Sequence, residues 1–155
     1  MQEVSTSFEK IVDEHRELRK MIAALRTFLE GPRPEIGAPG AHTWANDLAE
    51  HLVRLHDKIY RHFRYEESCG VLEEIQRERP QAGATVEVLR RDHDRMLADL
   101  RALLGAVMIY SEAKTPEYLR LRRWTLSLLS HLEQHEQEET ALLQKTFCLD
   151  LGHGD

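Results

Sequence analysis

Hydrophobic residues recur at helical spacing through four long stretches of the chain. Within each stretch the apolar positions fall three and four residues apart, which is typical of a helix with one buried face. The predicted helices span about 7–30, 43–78, 82–110 and 116–147, with a loop over 31–42 and a tail over 148–155. Gly70 is a candidate break in the second helix, since glycine costs about 1 kcal/mol inside a helix. The pattern predicts an all-α fold, an antiparallel up-down-up-down four-helix bundle.

Size, charge and cysteine content limit the class of protein. The 155 residues predict one domain over 1–155, with enough chain for a full core. The formal net charge of −6 argues against nucleic-acid binding, and no apolar run is long enough to span a membrane. There is no recognisable secretion signal and no CxxC pair, so we expect a cytoplasmic protein. We expect it to be a monomer or a weak homo-oligomer.

Each predicted helix carries a histidine on its otherwise apolar face. These are His15, His62, His93 and His135, and the second and fourth are followed one turn later by Glu66 and Glu139. In an up-down-up-down bundle with a rise of about 1.5 Å per residue, all four histidines lie roughly 22–28 Å from the same end. Buried imidazole and carboxylate groups are costly unless they are paired or bind a metal ion. The pattern therefore predicts a metal site shared by all four helices.

The ligand types narrow the choice of metal without fixing it. A histidine and a glutamate four residues apart point in one direction from a helix and offer one nitrogen and one carboxylate. Mixed nitrogen and oxygen ligation suits iron, manganese or zinc, and no thiolate is on offer at this layer. The chain contains neither Glu-x-x-His nor HExxH, so it lacks the ligand pairs of ferritin-like proteins and zinc proteases.

The ordered set of ligands resembles the hemerythrin-like (HHE cation-binding) family. The resemblance covers about residues 6–147 and rests on His15, HFRYE (62–66), His93 and HEQEE (135–139). It implies a non-haem site with two iron ions per chain inside an antiparallel bundle. It assigns His15 and His62 to one iron, and His93 and His135 to the other. It makes Glu66 and Glu139 the carboxylates that bridge the two ions.

One position departs from the oxygen-carrying members of that family. They have HxxxH on the third helix, whereas the second position here is Leu97. His131 lies on the same stripe one turn before His135, and we expect it to be an extra ligand or a partner of a ligand. Glu136 follows His131 at the HxxxxD spacing of the oxygen carriers, with glutamate in place of aspartate, but it lies about 100° away from His135 around the helix. The sequence therefore favours Glu139 over Glu136 as the fourth-helix carboxylate.

Three functions are compatible with this ligand set. The first is a di-iron protein that binds dioxygen or another small diatomic molecule such as nitric oxide. The second is a di-iron enzyme acting on peroxide or nitric oxide, for which Tyr65 is a weak candidate proton donor. The third is an iron-handling or iron-sensing protein. Fold-level analogy alone does not decide between them, and the question of enzyme activity stays open. Diatomic binding is the function that the sequence favours.

Overall fold

Four long helices and one short helix make up the described part of the chain. The computed structural model of the protein describes residues 2–35, 40–112 and 117–147. The helices are α1 (Gln2–Glu30), α2 (Gly40–Ser68), α3 (Val71–Glu78), α4 (Gly83–Glu112) and α5 (Tyr118–Phe147). A single turn of 3₁₀ helix, Pro80–Ala82, precedes α4. None of the described helices is long and apolar enough to cross a membrane.

The four long helices run alternately up and down. Phe28, near the end of α1, stacks on Trp44, near the start of α2, with ring centroids 6.0 Å apart. Trp44 also packs against Tyr110, near the end of α4, and Tyr118, at the start of α5. Since ends and starts alternate at this one end of the molecule, the predicted antiparallel bundle is confirmed. Each long helix contacts two neighbours, in the order α1, α2, α4, α5 and back to α1.

The helix bounds differ from the predicted ones mainly in the second helix. The predicted helix 43–78 is two helices, α2 and α3, and the break falls at Gly70. Gly70 has a φ of 82°, a left-handed conformation that glycine adopts without steric penalty. In addition, α1 begins at Gln2 and α2 at Gly40, earlier than predicted. The predicted tail 148–155 and the start of the fourth helix at Pro116 lie outside the described residues.

The apolar core consists of two clusters, one on each side of a polar layer. The larger cluster fills the bundle toward the end that carries Trp44, and the smaller one lies under α3 at the opposite end. Between them the helices place buried histidines and glutamates. Buried residues of the larger cluster include Leu18, Leu55, Phe63, Leu97 and Leu132, and those of the smaller include Ile11, Val71, Ile75, Val86 and Leu143. The polar layer is therefore enclosed in a low-dielectric interior.

Candidate metal centre

Four histidines, one from each long helix, meet in the polar layer. They are His15 on α1, His62 on α2, His93 on α4 and His135 on α5, and all four are buried. They form two pairs. The rings of His15 and His62 lie edge to face with centroids 4.9 Å apart. The rings of His93 and His135 do the same at 4.9 Å, and their Nε2 atoms are 3.1 Å apart.

Two buried carboxylates lie between the histidine pairs. The Glu66 Oε1 atom is 3.3 Å from His15 Nε2 and 2.5 Å from His62 Nε2. The other oxygen of Glu66, Oε2, is 3.3 Å from His93 Nε2. The Glu139 Oε2 atom is 3.4 Å from His15 Nε2 and 3.8 Å from His135 Nε2. Each carboxylate therefore faces one histidine pair as well as the other.

The donor atoms fall into two overlapping groups of metal-ligand size. One group contains His15 and His62, the other His93 and His135, and both contain Glu66 and Glu139. Within each group the ligand atoms lie within 4.8 Å of one another. This is the spacing that donors around a single cation require, and the two shared carboxylates place the two groups side by side.

Several buried atoms of the centre lack a hydrogen-bond partner among the described residues. These atoms are His62 Nε2, Glu66 Oε2 and both carboxylate oxygens of Glu139; all but Glu139 Oε1 lie at ion-pair distance from a neighbour without hydrogen-bond geometry. Buried polar atoms are nearly always paired, because an unpaired one loses its hydration without compensation. All of these atoms point into the centre. A bound cation would satisfy them together, so the residues present fit a metal site.

The outer nitrogen of each histidine faces a group on the preceding helix around the bundle. His62 Nδ1 is 2.6 Å from Glu14 of α1, and His93 Nδ1 is 2.9 Å from Glu67 of α2. His135 Nδ1 is 3.7 Å from Asp92 of α4, which is an ion-pair distance without a hydrogen bond. Partners of this kind fix the orientation of a ligating imidazole and increase its basicity.

The fourth histidine, His15, has a neutral partner instead of a carboxylate. His15 Nδ1 shares a 2.9 Å hydrogen bond with the Thr140 hydroxyl of α5. Each long helix therefore supplies the side chain that faces the histidine Nδ1 of the next helix, in the order α1 to α2, α2 to α4, α4 to α5 and α5 to α1. We call these four side chains, Glu14, Glu67, Asp92 and Thr140, the outer ring. Three of its members are carboxylates and one is a hydroxyl.

The carboxylates determine the protonation of the histidines. Burial works to lower the pKa of His15, but Glu139 and Glu66 outweigh it and raise that pKa to about 9. Burial likewise opposes the positive charge of His62, and Glu66 and Glu14 raise its pKa to about 10. The pKa of His93 is also raised, against burial, chiefly by Glu66. Positive charge at these positions is therefore favoured.

Two groups in the layer are driven toward their neutral forms. Burial and the adjacent His93 lower the pKa of His135. Burial and the negative charge of Glu66 raise the pKa of Glu139. For Glu66 itself, burial acts to raise the pKa, but His62 and the other histidines hold it well below its usual value. Two adjacent carboxylates repel each other in a dry interior, and a cation between them removes that repulsion.

His131 lies outside both ligand groups. Its side chain is 34% exposed, and its Nε2 atom is 3.7 Å from Asp92 Oδ1. Asp92 also faces His135, so His131 reaches the centre only through that carboxylate. His131 is therefore in neither group of ligand atoms, and its role as a partner of a ligand stays a prediction. Leu97, at the position of the missing imidazole, is buried in the larger apolar cluster.

Glu136 is buried beside the centre without belonging to either group. Its Oε1 atom has no hydrogen-bond partner among the described residues. Burial raises its pKa to about 7. The helical angle placed Glu136 off the histidine stripe, and the structure agrees; it faces α1 instead of the cluster interior.

Tyr65, the candidate proton donor, and Cys69 both pack against the smaller apolar cluster. Lys10 Nζ lies 3.7 Å above the ring of Tyr65, which packs on the smaller apolar cluster and is not placed as a proton donor to the layer. Cys69 is partly buried, and its thiol donates to the backbone carbonyl of Glu66 at 3.6 Å. Burial raises the pKa of this thiol, which favours the protonated form over a thiolate ligand.

Sequence reasoning missed the outer ring. Glu14 and Asp92 directly precede a histidine of the centre, and Glu67 directly follows Glu66. A neighbour in sequence is rotated by about 100° on a helix, so it leaves the apolar stripe and faces the adjacent helix. A carboxylate directly beside His15, Glu66 and His93 was the available signal, and Thr140, a neutral residue directly after Glu139, gave none.

An antiparallel four-helix bundle with a buried histidine and glutamate cluster defines a cation-binding helical protein. The model of the hemerythrin HHE cation binding domain matches residues 6–145 of this chain. The chain therefore belongs to the hemerythrin HHE cation-binding family, and the resemblance predicted from sequence is confirmed. Comparison with curated proteins and with solved structures gave no significant match.

Proposed function

We propose that the chain binds two non-haem iron ions, bridged by Glu66 and Glu139, and uses them to bind dioxygen or another small diatomic molecule such as nitric oxide. The observation that carries the proposal is the pair of overlapping ligand groups that share both carboxylates. His15 and His62 would hold one ion, and His93 and His135 the other. The mixed nitrogen and oxygen set suits iron, and it suits manganese or zinc as alternatives.

The number of protein ligands supports small-molecule binding. Each group offers two imidazoles and two shared carboxylates, and His131 and Leu97 add no further ligand. Non-haem iron sites with few protein ligands keep positions open for an exogenous molecule. Iron bound here would supply redox chemistry and an attachment point for a diatomic ligand.

The surroundings of the layer also support this function. Phe63 stacks on His93 with ring centroids 4.0 Å apart, and Leu97 and Leu132 are buried in the same cluster. The smaller apolar cluster covers the opposite side. Apolar walls admit a small uncharged molecule and exclude bulk water, which limits loss of a bound ligand or an oxidised centre to side reactions.

The test is the iron content of the chain together with its absorption spectrum with and without oxygen. We expect two irons per chain and near-ultraviolet bands that change reversibly on deoxygenation. His62→Ala should lower the iron content, whereas His42→Ala, an exposed histidine on the same helix, should not. Irreversible oxidation would favour an enzyme acting on peroxide or nitric oxide. One metal ion or none in the wild-type chain would contradict the di-iron proposal.

A further inference from the structure

A cleft between α1 and α5 leads from the surface toward the metal centre. It has a volume of about 420 Å³. Ala23 and two arginines, Arg19 and Arg26, line it from α1, and the residues that line it from α5 include Glu133, Glu136, Thr140 and Ala141. This is the side of the bundle on which the outer ring has its neutral member, Thr140. We call this feature the α1–α5 cleft.

Only one layer of side chains separates the cleft from the centre. Thr140 lines the cleft, and its hydroxyl is hydrogen-bonded to His15 Nδ1 at 2.9 Å. Glu136 also lines the cleft; it is 3% exposed, and its Oε1 atom is without a hydrogen-bond partner among the described residues. A buried carboxylate oxygen without a hydrogen-bond partner is costly, and the nearby charge of Arg19 does not supply that bond, so Oε1 is open to a ligand.

Three glutamates lead inward along α5. Glu133, Glu136 and Glu139 follow one another at intervals of three residues, which is a rise of about 4.5 Å per step and a rotation of about 60°. Their exposure falls in that order, from 36% to 3% to 1%. The first two line the cleft and the third belongs to both ligand groups. Carboxylate oxygens therefore run in sequence from solvent to the centre.

We propose that the α1–α5 cleft is the route by which a divalent cation reaches the centre, with Glu136 as its transient ligand on the way. This inference rests on cation binding by the two ligand groups. A cation that leaves water needs oxygen ligands along its way, and the three glutamates offer carboxylate oxygens at successive depths.

The rim of the cleft carries an opposing charge. Arg26 donates to both oxygens of Glu133, at 2.8 Å from Nη2 and 3.3 Å from Nε, and also to Ser130. This ion pair neutralises the outermost glutamate of the series. A cation must compete with Arg26 for Glu133, so we expect the pair to slow uptake.

The experiment measures the rate of Co²⁺ uptake by the metal-stripped full-length chain in a stopped-flow spectrophotometer, using the visible absorption of bound cobalt. Glu136→Gln keeps the shape of the side chain and removes its charge. We expect uptake to slow by about tenfold or more, as for the loss of a guiding charge in a cleft. The amount of cobalt bound at equilibrium should not change. The matched control is Glu138→Gln, an exposed glutamate on the same helix.

Two more variants keep the test independent of the folding of Glu136→Gln. Ala141→Trp should obstruct the cleft and slow uptake, while Ala102→Trp, an exposed alanine of α4 outside the cleft, should not. Arg26→Gln should speed uptake, because it frees Glu133. Unchanged rates in Glu136→Gln and Ala141→Trp, with normal cobalt content, would overturn the route alone. A wild-type chain that takes up no cobalt would overturn the route and the metal centre together.

Discussion

The two histidine pairs of the centre share both carboxylates but differ in what lies behind them. Behind His93 and His135 lie two carboxylates of the outer ring, Glu67 at hydrogen-bond distance and Asp92 at 3.7 Å. Behind His62 stands one carboxylate, Glu14, while His15 has the Thr140 hydroxyl and lies next to the α1–α5 cleft. Carboxylate partners make an imidazole a stronger ligand. The comparison suggests a tighter half on α4 and α5 and a more exchangeable half on α1 and α2.

Glu66→Gln should weaken cation binding in both halves of the centre and so remove the difference between them. An amide cannot supply the charge that both ligand groups share, and its N–H₂ group would point at histidine nitrogens. We expect cation content to fall from about two per chain toward zero, with affinity lowered by at least about a hundredfold, as for the loss of a ligand charge. Equilibrium dialysis measures this, with the exposed Glu73→Gln as control. Retention of two cations would contradict the shared-carboxylate arrangement.

Removing one histidine from each half should separate the two halves. His15→Ala and His93→Ala should each leave about one cation per chain, because each removes a ligand from one group only. The remaining cation should resist a competing chelator better in His15→Ala, where the α4–α5 half is intact. Equal resistance in the two variants would show that the outer ring does not distinguish the halves.

Substitutions in the outer ring should sharpen the difference with smaller effects. Glu67→Gln should weaken the α4–α5 half by about tenfold to a hundredfold, the usual effect of losing a carboxylate partner. Thr140→Val should weaken the other half by only a few-fold, because a neutral hydroxyl contributes less than a charge. Isothermal titration with Co²⁺ resolves the two affinities. A larger loss of affinity in Thr140→Val than in Glu67→Gln would contradict the proposal that the α4–α5 half binds more tightly.

The pH dependence of binding should differ between the halves. The pKa values of about 9 for His15 and about 10 for His62 mean that both hold protons at pH 7 and must lose them to a cation. In the other half the pKa is raised for His93 but lowered for His135. Affinity should thus rise with pH in both halves, more steeply for the α1–α2 half, by up to about tenfold per pH unit for each additional proton released. Equal slopes in titrations from pH 7 to 8 would contradict this.

The position of the buried histidines and glutamates was predictable from sequence, because the hydrophobic periodicity of each helix is sufficient to locate them. A histidine that interrupts an apolar stripe faces the interior of a bundle, and the short connections fix which levels meet. This was sufficient for His15, His62, His93 and His135 and for the two glutamates one turn on. It also identified Gly70 as the weak point of the second helix, where the left-handed backbone ends α2.

What sequence did not predict depends on the rotation of neighbouring helices. His131 lies on the same stripe as His135, one turn before it on α5. It is partly exposed at the edge of the layer, and its nearest charged neighbour there is Asp92. Glu136 is off the stripe but buried, because α1 covers it. Periodicity gives the inward face of one helix, whereas the outer ring and the cleft exist only between two helices.

The outer ring has a consequence for how the helices are aligned. Each long helix both gives a partner to the next helix and receives one from the helix before. Sliding one helix by a turn, about 5.4 Å, would break two of these contacts at once and leave buried polar groups unpaired. Packings with one helix out of register are therefore disfavoured over the native one. The polar layer thus specifies the alignment of the bundle as well as lining its interior.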